Sequence, residues 1–208
     1  GVKKLSFDDA ILRFTMPTLC GIKPSCLFSM KKSDDLLAEK KAKSVGKVFK
    51  TQGKKITAIV KEDGHALYFV YDEKALAKLC IKKQSYIYLK KKGYPVERGQ
   101  EFILAELFSR LKNRKNFPHE VGLFLGYPLS DVIQFEKYKG ENFTYCGFWK
   151  VYGNTDKAIS LMQKYKDCSS FCKLRLEEGN TILETVSKYK KTYGGLNEKS
   201  NCLQHNNW

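Results

Sequence analysis

His119 and Glu120 are adjacent in a dense stretch, Phe117-Pro118-His119-Glu120-Val121-Gly122-Leu123-Phe124-Leu125-Gly126-Tyr127-Pro128, set between two strongly basic segments. Histidine alone titrates near neutrality without help, so His119 is the leading candidate for a general base or a ligand, with Glu120 as its partner. Neighbouring side chains on a helix diverge by about 100°, however, and would not readily converge on one atom. Pro118 in a first helical turn, with Glu120 near its positive end, accounts for the same residues by packing alone. The His-Glu-x-x-His arrangement of zinc proteases is absent, because Leu123 stands where its second histidine would be.

Four further residues could hold a ligand. Lys23, in a Gly-Ile-Lys-Pro turn, can meet a phosphate or carboxylate, and partial burial would shift its pKa. Tyr127 offers a phenol beside the glycines. Lys150 and Tyr152 share one face of a Cys146-to-Gly153 strand, opposite Trp149 and Val151, and would present a cation and a phenol to a pocket. Gly122 and Gly126 match neither phosphate-loop pattern and read as the joint between two helices. Cys168 and Cys172, four apart, share a face if helical, but a tetrahedral zinc site needs two more ligands. Cys202 and His205 have a suggestive spacing near the C-terminus; the thiols read as inert, and no metal or cofactor is assigned.

These residues need elements to position them. Residues 5–14 read as a short helix capped by Ser6 and stopped by Pro17, and Ser25 to Met30 as a buried strand. A helix from Asp34 to about Phe49 would place Leu36, Leu37, Val45 and Val48 on one side. Two strands, 54–60 and 65–71, flank an Asp63-Gly64 turn, and Asp72 caps a helix over 73–91. Another helix spans 98–115, and Pro128 opens one that ends near Gly140. The last strand, 146–153, precedes a helix capped by Asn154 or Thr155 that runs into the Cys168–Cys172 region. This order predicts an α+β fold: a small, mostly antiparallel four-stranded sheet in ferredoxin-like βαββαβ order, with a helical insertion before the last strand. A doubly wound parallel sheet is the alternative, which the Asp63-Gly64 hairpin disfavours. Residues 1–190 read as one domain and 191–208 as a flexible C-terminal tail.

The net charge of +16 admits nucleic acid, anionic lipid or a small anionic ligand as partner. Yet 33 of the 38 basic residues are lysine, whereas nucleic-acid readers lean on arginine, and an AT-biased genome yields the same composition. The RNA-binding Lys/Arg-Gly-Phe-Gly-Phe signature is missing. Seven cysteines, an odd number without a hydrophobic leader, imply reduced thiols, and no run of about 20 apolar residues could cross a bilayer. The expectation is a soluble, cytoplasmic protein.

Three segments together resemble one family, the domain of unknown function 3793 of anaerobic Gram-positive bacteria. They are Pro17-Thr18 with Gly21-Ile22-Lys23-Pro24 and Leu27-Phe28; Phe117 to Pro128; and Cys146-Gly147-Phe148-Trp149-Lys150-Val151-Tyr152-Gly153. The resemblance runs from about residue 10 to about residue 180. The family often carries a cysteine just before the Pro-Thr pair; here Thr15 and Met16 stand there and Cys20 follows, which argues against a nucleophile at that point. The resemblance implies a compact cytoplasmic domain of an anaerobe and brings no reaction with it. The residues themselves favour a small-anion site near His119, with a non-catalytic basic module for nucleic acid or an acidic protein as the alternative. The first requires the three segments to meet in space.

Overall fold

The computed structural model describes residues 5–113 and 117–204, with the backbone alone for residue 113 and residues 195–204. Strands β1 (Ser25–Lys31), β2 (Lys54–Val60) and β3 (His65–Asp72) form an antiparallel sheet in the order β1-β3-β2. The Asp63-Gly64 turn joins β2 to β3 as expected, and Val70 of the central strand faces Cys26 on one side and Ile56 on the other.

Side chains alternate across a pleated strand, and β3 uses both faces. Ala66, Tyr68 and Val70 enter one core; Leu67, Phe69 and Tyr71 enter another. Helices α1 (Phe7–Phe14), α2 (Met16–Leu19), α3 (Ala38–Lys50), α9 (Thr155–Glu177) and α10 (Ile182–Gln204) cover the first face. Helices α4 (Glu73–Ile81), α5 (Lys83–Lys91), α6 (Gln100–Asn113), α7 (Val121–Phe124) and α8 (Leu129–Tyr138) contribute to the second. A fully buried ring such as Phe69 is worth about 1.5–3 kcal/mol relative to solvent exposure, so the two-sided burial of β3 anchors the layers.

The expected caps are in place. Ser6, Asp72 and Asn154 accept hydrogen bonds from the backbone N–H groups of Asp9, Ala75 and Lys157. The helix expected over 73–91 is two helices, broken at Lys82, whose backbone is extended with ψ at 131°. α3 begins only at Ala38, leaving Leu36 and Leu37 ahead of it and exposed. The end of the helix expected to reach 115 lies outside the described residues, as do His205 and the side chain of Cys202.

The four-stranded, ferredoxin-like sheet is not formed. Residues 146–153 do not join β1-β3-β2. Two-residue strands β4 (Tyr145–Cys146) and β5 (Lys150–Val151) pair only with each other in a separate sheet. Two contacts explain this. The chain reverses at Gly147, where a Cβ would press on Met162 Sδ and lie 3.0 Å from Tyr145 Cε1, an approach that glycine makes without displacing either neighbour. Beyond β5, the N–H groups of Tyr152 and Gly153 donate to the Asp131 carboxylate and are lost to any ladder. No helix among the described residues is long and apolar enough to cross a membrane.

Candidate functional site

The three segments meet. Pro24 packs on Gly126: a Cβ on that glycine, whose φ is +82°, would lie 2.7 Å from Pro24 Cδ. One residue on, Ser25 Oγ donates to the Phe124 carbonyl at 2.7 Å, fixing the start of β1 against the end of α7. The Gly126 turn delivers Tyr127 onto Trp149 of the hairpin, with ring centroids 4.9 Å apart and planes at 22°. The Tyr127 hydroxyl donates to the Phe148 carbonyl at 3.4 Å.

Lys23 lies in this junction. Its ammonium is 5.8 Å from the centroid of Tyr127 and 5.6 Å from that of Tyr165 on α9. Among the described residues it has no carboxylate within ion-pair distance. Burial lowers its affinity for a proton, partly offset by the Cys26 thiol. Burial also pushes Tyr127 up to about 12 and raises Tyr165, so both phenols stay protonated beside the lysine.

His119 and Glu120 part company, as adjacent residues on a turn should. His119 is exposed and lies edge-on to Phe135, with centroids 5.0 Å apart. Glu120 turns inward, where it accepts from Arg110 Nη1 at 2.9 Å and from the Tyr94 hydroxyl at 3.2 Å. Arg110 also bonds the Lys92 carbonyl and Glu106 and lies over the Tyr94 ring. Burial raises the Glu120 pKa, but a backbone hydrogen bond and those from Arg110 and Tyr94 outweigh it, leaving the group below the usual glutamate range. Glu120 is thus held as the anion of a buried ion pair, apart from His119 in chemistry and direction.

Lys150 and Tyr152 are also committed elsewhere. Lys150 Nζ donates to the Gly140 carbonyl at 2.7 Å beyond the end of α8, over the Phe143 ring. Tyr152 stacks with Tyr138 at 6.1 Å. Of the six residues expected to form the site, the fold brings Lys23 and Tyr127 together. The other four line the surroundings or serve other contacts.

Three residues that matter here escaped the sequence reading. Asp131, in the first turn of α8, is buried and accepts from Trp149 Nε1 at 2.8 Å, Tyr152 N at 3.0 Å and Gly153 N at 2.9 Å. In sequence it is merely an acidic residue suited to a helix start. Tyr165 belongs to the buried stripe Ala158, Met162, Tyr165, Cys168 and Cys172 of α9, whose helical spacing was the available signal. Cys20, at the end of α2, lies against this stripe with its Sγ 3.7 Å from that of Cys172; no local pattern joins residues 152 apart. Hydrogen bonds from the Cys168 and Cys20 thiols pull Cys172 below the ordinary thiol pKa, against the effect of burial.

Comparison with known proteins places the chain in a family. No curated protein and no solved structure matches the chain. One family model does, over residues 11–186, a span that takes in Lys23, Tyr127, Trp149 and Tyr165. The chain belongs to the family described as Protein of unknown function (DUF3793).

Proposed function

We propose that the protein binds a small anionic ligand at the junction of the three segments, with Lys23 supplying the charge and Tyr127 and Tyr165 framing it. The observation that carries this reading is a half-buried ammonium between two aromatic faces, with no carboxylate beside it among the described residues. A partly buried cation without a counter-ion carries a desolvation cost, and an anion arriving there would offset it. The ligand charge this suits is a carboxylate or a phosphate. The arrangement holds charge and supplies no paired acid and base, because Glu120 is tied to Arg110 and His119 faces Phe135. The reading is therefore one of binding, with no reaction assigned. It moves the centre of the site from His119 to Lys23.

The test is thermal denaturation against a panel of inorganic phosphate, sulfate and small mono- and dicarboxylates at low ionic strength. At least one anion should raise the Tm of the wild-type protein and of His119→Ala, and leave Lys23→Met unmoved. No effect of any anion on the wild type, or an equal shift in Lys23→Met, sinks the proposal. Oligonucleotide binding that weakens steeply with salt and survives Lys23→Met would instead favour the basic-surface reading.

A further inference from the structure

Cys20, Cys168 and Cys172 are all buried, and their three sulfurs lie within 4.8 Å of one another. A buried free cysteine is ordinarily a small apolar side chain packed among carbon atoms. Here three are packed against each other, delivered by two elements with different constraints. Cys168 and Cys172 are one helical turn apart on the inward face of α9. Cys20 is set by the end of α2, where Pro17 fixes the first turn and the Cys20 N–H bonds back to the Met16 carbonyl at 2.8 Å. The sulfurs are thus brought together by two helices, α9 and the end of α2.

From this geometry we infer a binding site for a single thiophilic d10 cation, zinc(II) or copper(I), with the sulfurs of Cys20, Cys168 and Cys172 as its protein ligands. Soft thiolate sets select these ions, whereas hard cations take oxygen. Two thiolates each about 2.3 Å from a tetrahedral zinc lie about 3.8 Å apart, and Cys20 and Cys172 are 3.7 Å apart. A four-iron cluster distributes its cysteines over different irons and needs the sulfurs spread more widely than they are here. Zinc would take a fourth ligand at this site, while copper(I) is content with three. Tyr189 of α10 is buried in the same core as the three cysteines. Binding displaces one proton from each sulfur still carrying one, and those protons leave to solvent.

The site is independent of the anion proposal, although Tyr165 and Cys168 are successive members of one stripe on α9. Its experiment uses the full chain, purified and handled anaerobically with a reductant. Elemental analysis should find about one zinc or copper per chain, either as isolated or after loading. Cobalt(II) loading should give the intense thiolate-to-cobalt charge-transfer band. At a metal concentration one hundred times Kd, Tm should rise by about 5–10 °C over the stripped protein. Cys172→Ala and Cys20→Ala should lose the metal, the band and the Tm response, and Cys80→Ala, buried in the other core, should keep all three. Where a cluster variant fails to fold, reversal of the wild-type Tm shift by a chelator and its restoration by added metal decide the matter. Less than half an equivalent of zinc, copper(I) and cobalt(II) alike, or equal binding by folded Cys172→Ala, overturns the inference. Stoichiometric iron with acid-labile sulfide would overturn it too.

Discussion

Removing the Asp131 carboxylate should cost the protein about 3 kcal/mol, and the structure shows where that figure comes from. Three N–H donors point at this buried group: the Trp149 indole at 2.8 Å and the backbone of Tyr152 and Gly153 at 3.0 and 2.9 Å. In Asp131→Ala the indole, on a buried ring, finds no substitute and bears an unsatisfied-donor cost of about 1–3 kcal/mol. The two backbone groups are more exposed and recover water, so each adds about 0.5–1 kcal/mol. For a chain of this length the sum lowers Tm by about 6–12 °C. Asp131→Asn is the sharper probe. Its carbonyl can still serve Tyr152 and Gly153, but its amide then faces the indole donor to donor. Adding Trp149→Phe removes that conflict, so the double variant should be more stable than the sum of the singles by at least about 1 kcal/mol. Urea denaturation followed by far-ultraviolet circular dichroism measures all five proteins: the wild type, Asp131→Ala and the three variants of the cycle. Asp131→Ala costing under about 1 kcal/mol, or strict additivity in the cycle, would falsify the view of Asp131 as the clamp between α8 and the hairpin.

Glu120→Ala leaves the Arg110 guanidinium buried with one carboxylate removed and should destabilise by about 3–5 kcal/mol in chemical denaturation. Because the folded-state pKa of Glu120 is lowered, its stabilisation is present above the ordinary glutamate value of 4.5 and is lost as pH falls through the folded value; the variant should show a shallower acid limb. Lys23 runs the other way. With its folded pKa below the ordinary 10.5, the unfolded chain binds the extra proton and stability rises with pH between the two values. Without added anion, Lys23→Met should therefore exceed the wild type in stability at neutral pH, the gap closing as pH approaches 10.5; a gap independent of pH refutes this. Gly126→Ala forces a Cβ into a left-handed backbone and against Pro24, and should cost roughly 2–4 kcal/mol by the same denaturation measurement.

Much of the sheet was legible because its signals are local. Asp63-Gly64 marks its own turn, and Ser6, Asp72 and Asn154 announce helix starts through side chains that reach only three residues ahead. The fourth strand misled because Cys146 to Tyr152 has strand-like residue types, while the facts that fold it back on itself are distant. Those facts are Met162 pressing on Gly147 and Asp131 taking the backbone donors. The break at Lys82 carries no proline or glycine to mark it. Lys23 and Tyr127 were picked out from their turns, while the meeting of the three segments rests on contacts between distant residues such as Gly126 on Pro24. Glu120 has the residue type of a catalytic acid. Only its inward direction, set by the turn that begins at Pro118, shows that it serves the Arg110 ion pair.

The residues of the two cores emerge over different spans of synthesis. The core on the second face is assembled from Ile59 to Val132, a contiguous stretch, whereas the first runs from Phe7 to Tyr189. At about 5–20 residues per second, the 152 positions between Cys20 and Cys172 correspond to roughly 8–30 s of elongation. Throughout that interval Phe7, Ile11 and Phe28 lack the α9 and α10 side chains that later bury them. Cys20 likewise waits as a lone thiol until its two partners emerge. The nascent N-terminal third must therefore stay both reduced and unaggregated until the C-terminal helices arrive.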